Sequence, residues 1–99
     1  MKPKLIRDSI PDMPNDNWVE INNDYAYKLL KEKLHEEVQE LAESDYKDLD
    51  EFADILEVLY SLARKAKFTP KTLEVARIIK LKERGGFSNK MLTVSDGDS

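Results

Sequence analysis

The chain has 99 residues, enough for one domain with a core, but at that size only about 60 to 65 per cent of the unfolded surface can be buried, so a second subunit would help. With no cysteine and a single histidine, it has neither disulfides nor a thiolate metal site, and any ligand must come from oxygen or from His35. A net charge of -4 argues against binding a nucleic-acid polymer, and no run approaches the ~18 apolar residues that span a bilayer.

Residues 1–23 hold three of the four prolines, Pro3, Pro11 and Pro14, and show no helical period, which predicts an irregular N-terminal arm. The opening MKPKLIRDSIPDMP lacks the apolar core of a secretory leader, so the expectation is a soluble, cytoplasmic protein without a membrane partner. At Asn22 to Asp24 an N-cap candidate precedes Tyr27, Leu30, Leu34, Val38 and Leu41, spaced by three or four, and predicts a helix over residues 24–42. After the polar break ESDYK, Asp48 is a second cap candidate. Phe52, Ile55, Leu56, Leu59, Leu62 and Ala63 then predict a helix over residues 48–66.

Thr69 followed by Pro70 is a helix start, because proline at the first position gives up only an amide that has no intrahelical partner. The third helix is expected to stop at Gly85 and Gly86. Residues 91–99 read as a flexible tail. The whole is a single all-α domain: an antiparallel helical hairpin plus a C-terminal helix, completed to a bundle by oligomerisation as a homodimer or homotetramer.

Charge is unevenly spread. Ten carboxylates, half of the twenty in the chain, lie between Glu36 and Glu57 with Lys47 as the only base. From Arg64 to Lys90 there are nine basic residues and two acids, so an acidic middle meets a basic C-terminal third, which suits a ligand carrying both metal and phosphate. At about 100 degrees per residue, Glu37 falls about 60 degrees from the centre of the first apolar stripe, Glu40 about 120 and Glu36 about 160. Glu36 therefore points to water, while Glu37 and Glu40 border the core. On the second helix Glu51 falls about 80 degrees and Asp54 about 140 degrees from the stripe.

Hairpin register brings the two i, i+3 pairs, Glu37 with Glu40 and Glu51 with Asp54, to the same end. Two readings remain open. Acidic runs on helices are commonly solvated faces, and Asp48 with Glu51 could form a capping box. Alternatively, Glu36, Glu37, Glu40 and Glu43 repel one another and face the negative end of the helix dipole. A hard divalent cation, Mg2+ or Mn2+, would relieve both costs. An EF-hand is excluded, since DYKDLDEFADIL has no glycine at its sixth position. His35 reads as a surface residue.

The pairs EVQE, Glu37 to Glu40, and EFAD, Glu51 to Asp54, resemble the E-x-x-E then E-x-x-D signature of the MazG-like all-α nucleotide pyrophosphohydrolases. KLIRDSIP, Lys4 to Pro11, and KERGGF, Lys82 to Phe87, are similar to the short branch described as phosphoribosyl-ATP pyrophosphohydrolase-like. The likeness covers most of residues 4–90. It implies Mg2+-dependent hydrolysis of a nucleoside triphosphate, including non-canonical ones, to monophosphate and pyrophosphate, with Glu37, Glu40, Glu51 and Asp54 as metal ligands. Glu36 and Glu57 are outer candidates.

Lys80, Lys82 and Arg84, with backbone amides near Gly85 and Gly86, could meet phosphate oxygens. The same residues also fit an ordinary helix end rich in bases and glycine; the resemblance favours binding. Arg7 is a candidate phosphate or subunit contact. Trp18 is expected in the core and Phe87 in a hydrophobic cap contact. Where the family pattern has a base, this chain has Ser9. Two rival expectations stand beside this one: phosphoribosyl-ATP hydrolysis in histidine synthesis, and a non-enzymatic helical protein-interaction module.

Overall fold

The computed structural model describes residues 3–9 and 18–93. Pro11 and Pro14, the end of the Lys4 to Pro11 motif, and residues 94–99 of the expected tail lie outside them. Among the described residues there are three helices and no strand: α1 (Asn23–Glu43), α2 (Leu49–Lys65) and α3 (Pro70–Arg84). None is long and apolar enough to cross a membrane.

Each helix begins at a side-chain cap that satisfies an amide with no intrahelical partner. The Asn22 carbonyl accepts from the Tyr25 amide at 2.8 Å. The Asp48 carboxylate accepts from the Asp50 amide at 2.9 Å, and the Thr69 hydroxyl from the Thr72 amide at 3.0 Å, with Pro70 directly after it. α3 stops where Gly85 adopts φ 76°, ψ -177°, a region open essentially only to glycine.

The α1–α2 turn is organised by Ser44. Its hydroxyl donates to the Leu41 carbonyl at 2.7 Å and accepts from the amides of Lys47 at 3.3 Å and Asp48 at 3.2 Å. Asp45 and Tyr46, both at φ 59°, take the left-handed conformation that reverses the chain. The Ser44 hydroxyl takes the Asp48 amide, and the capping box, one of the two readings of Asp48 and Glu51, is not formed.

α1 and α2 pack along their length, and α3 packs against α2 alone. The core between them is small. Leu29, Leu30, Leu41 and Val58 are its buried apolar residues, and among the described residues no side chain is fully enclosed. The radius of gyration is 17.9 Å, against ~13 Å for a compact chain of this length.

The hairpin interface is rotated from the face the periodicity predicts. On α1 the buried row is Leu30, Glu37 and Leu41, flanked by Leu29, while Tyr27 and Val38 stay exposed. On α2 it is Val58 that is buried, with Glu51, Asp54, Ile55 and Leu62 half-buried; Phe52 is 49% exposed, Leu56 47% and Leu59 39%. α2 has two apolar flanks: one is spent on α1, and the more hydrophobic one is left open. α3 adds Leu73, Ile78 and Ile79 to the exposed apolar surface.

Candidate functional site

Glu37 lies in the buried row of α1 and is 4% exposed, a position that leucine normally fills. Its Oε1 accepts from Lys33 Nζ, one turn earlier, at 3.2 Å. Its Oε2 is buried with no hydrogen-bond partner. Glu40 follows one turn later, and the start of α2 brings in Glu51, so that one carboxylate oxygen from each of Glu37, Glu40 and Glu51 lies within 4.8 Å of the other two. Glu51 also has a buried, unpartnered Oε2. A solvated face does not account for this, because two of the oxygens are shielded from water.

Three carboxylates at such separation cannot all stay ionised without a counter-charge. The Glu37 carboxyl within hydrogen-bonding reach, then burial, then the charge of Glu40 push the Glu51 carboxyl up to about 7.

Apart from Lys33 on Glu37, the basic residues pair with carboxylates outside this group. Lys4 Nζ pairs with Glu36 at 2.7 Å and Arg7 pairs with Asp54. Arg64 Nη1 lies 3.4 Å from Glu57 Oε2, which also accepts from the Ser61 hydroxyl at 3.4 Å. Among the described residues no basic side chain pairs with Glu40 or Glu51. Buried oxygens without a donor, drawn from carboxylates alone, are the donor set of a hard cation such as Mg2+ or Mn2+. Glu37, Glu40 and Glu51 therefore fit a divalent metal.

A groove of about 1060 Å3 lies along the hairpin and is lined by Glu37 and Asp54, but not by Glu40 or Glu51. Glu37 and Asp54 mark one end and Arg64, Lys65 and Lys67 the other; residues 5–9 of the N-terminal arm form a wall. Its size suits a nucleotide-sized ligand.

Several sequence-based expectations change against this geometry. Asp54 is not in the three-carboxylate group but turns to Arg7. Glu36, expected in water, is half-buried and paired with Lys4. Trp18 is 42% exposed rather than in the core, and Phe87 is fully exposed and makes no cap contact, since Gly85 alone ends the helix. His35 is exposed, as expected. Lys80, Lys82, Arg84, Gly85 and Gly86 lie on or beyond the end of α3 and do not line the groove.

The sequence reading missed Lys4, Lys33, Arg64, Lys65 and Lys67. Lys33 carried a readable signal, four residues before Glu37 on the same helix surface. The others depend on tertiary placement. Comparison of the chain with family models, curated proteins and solved structures finds no match.

Proposed function

We propose that this chain is a Mg2+-dependent nucleoside triphosphate pyrophosphohydrolase that works as an oligomer. The observation that carries the reading is Glu37, which has a buried, unpartnered Oε2, groups with Glu40 and Glu51, and itself lines a nucleotide-sized groove. The resemblance of the two acidic pairs and both terminal motifs to the MazG-like enzymes supports it and supplies the bond to be broken, the anhydride between the α and β phosphates.

Glu37, Glu40 and Glu51 would hold the cation, with Asp54 as the residue best placed to join them. When bound, a divalent cation neutralises charge on the phosphate oxygens and acidifies a water molecule. A carboxylate oxygen not engaged in holding it accepts the water's proton as the water adds to phosphorus. The bridging P–O bond breaks, and monophosphate and pyrophosphate leave. Around the reacting phosphates, Lys33 and Arg7 supply positive charge from the rim, and the bases at the far end of the groove, Arg64, Lys65 and Lys67, offer anchoring for the rest of the ligand.

The test is pyrophosphate release from a panel of ordinary and damaged nucleoside triphosphates, with phosphoribosyl-ATP as a separate arm. Activity should vanish with EDTA and in Glu40→Gln. Hydrolysis that persists in that variant would remove the metal-site reading.

The exposed apolar flank of α2 favours a second reading, a helical module that binds a protein partner. A Mg2+ titration that leaves thermal stability unchanged would support that reading instead.

A further inference from the structure

The N-terminal arm crosses the hairpin. Lys4 pairs with Glu36 on α1, and three residues later Arg7 pairs with Asp54 on α2. Three extended residues span about 10 Å, which matches the ~8–10 Å between the axes of packed helices. Residues 5–9, held between and beside these two pairs, close one side of the groove. The described part of the arm thus forms a strap tied down at two points, one on each helix.

Both ties are partly open to solvent: the Lys4 side chain is 61% exposed and the Arg7 side chain 60%. Exposed ion pairs of this kind are weak and exchange partners readily. Arg7 and Asp54 also both line the groove, so their contact forms part of the wall a ligand would meet. The Arg7 guanidinium therefore occupies Asp54, one helical turn from Glu51 on α2, while its planar fork matches a phosphate as well as a carboxylate.

Resting on the metal-site reading above, we propose that Arg7 is a switching residue: it holds Asp54 while the site is without metal, and passes to a phosphate of the bound triphosphate once Asp54 turns to join Glu37, Glu40 and Glu51. The strap then closes over the ligand through the same arginine that tied it to the empty site. Arg7 thereby opposes binding of the cation alone and favours binding of the cation with its polyphosphate, which protects the site from bare metal and couples groove closure to the correct ligand class.

Mn2+ titration followed by electron paramagnetic resonance tests this, first with metal alone and then with an α,β-methylene nucleoside triphosphate. Arg7→Gln should bind Mn2+ alone roughly threefold more tightly, since a competing cation is removed. It should bind the Mn2+–analogue complex roughly tenfold more weakly, since a charged phosphate contact is lost. Arg7→Lys should return the metal-only affinity to the wild-type value yet leave the analogue weakened, because lysine lacks the fork.

A purely structural role for Arg7 would weaken both titrations together, and no role would move neither; either result overturns the proposal and leaves the metal site standing. Failure of the wild-type protein to bind Mn2+ would overturn both.

Discussion

Glu37 and Glu51 meet across the hairpin with one buried oxygen apiece that no donor reaches. The Glu37 carboxyl beside it, then burial, then the charge of Glu40 favour the protonated form of Glu51, whose carboxyl is pushed up to about 7 from 4.5. The folded protein therefore holds a proton that the unfolded chain has released. The contribution of this group to stability is full below pH 4.5 and is lost as pH rises to about 7. In EDTA, thermal melts should show stability declining across that window, and Glu51→Gln should remove this share of the decline. On the proposed metal-site reading, Mg2+ would expel the same proton, so its affinity should climb with pH up to about 7 and then level off. Calorimetry in buffers of different ionisation heat would detect the released proton.

Replacing the buried carboxylate separates stability from metal binding. Glu37→Leu puts an apolar side chain into an apolar row, and Lys33, which loses its partner, is close enough to the surface to reach water. Removing a poorly compensated buried charge in this way stabilises by on the order of 1 kcal/mol, which raises the melting temperature by about 4–8 °C for a domain of this size. The metal-free variant should therefore melt higher than the wild type, yet show no upward shift on adding Mg2+. A variant that melts lower and still responds to Mg2+ would contradict this account of Glu37.

The end of α3 offers a separate check. A Cβ at Gly85 would meet no atom within 4 Å, so Gly85→Ala perturbs only the backbone, held at φ 76°. The expected cost is about 1–3 kcal/mol, read by denaturant unfolding, with Mg2+ affinity unchanged because the groove lies elsewhere. A large loss of metal-dependent nucleotide binding with little loss of stability would instead place a phosphate contact at the glycine pair.

The open flank of α2 predicts association. Phe52, Leu56 and Leu59 on α2 and Ile78 and Ile79 on α3 leave more apolar surface exposed than a small monomer normally tolerates. Light scattering should give a mass above that of one chain, and Leu56→Glu should shift it toward the monomer. A wild-type protein that remains monomeric at high concentration would sink this expectation.

The helices were legible because their boundaries are local chemistry: Asn22, Asp48, Thr69 with Pro70, and Gly85 act within four residues of themselves. The acidic pairs were legible for the same reason, since helix spacing fixes where Glu37 lies relative to Glu40. The buried face was not. A row that runs Leu30, Glu37, Leu41 scores as mixed when apolar residues alone define the stripe, and the choice between the two apolar flanks of α2 depends on what packs against them. Nor could the sequence show Arg7 against Asp54, a pairing across 47 positions that exists only once the hairpin has formed and the arm lies over it.

Ser44 has a role beyond ending a helix. One hydroxyl ties the last turn of α1 to the two residues that lead into α2, and so sets the phase at which the second helix begins. That phase, together with the packing of α1 on α2, places the carboxylates on either side of the turn. The five-residue connection from Ser44 to Asp48 is therefore a gauge block between two halves of a cluster, and its length and chemistry are as much a part of the site as the acids it spaces.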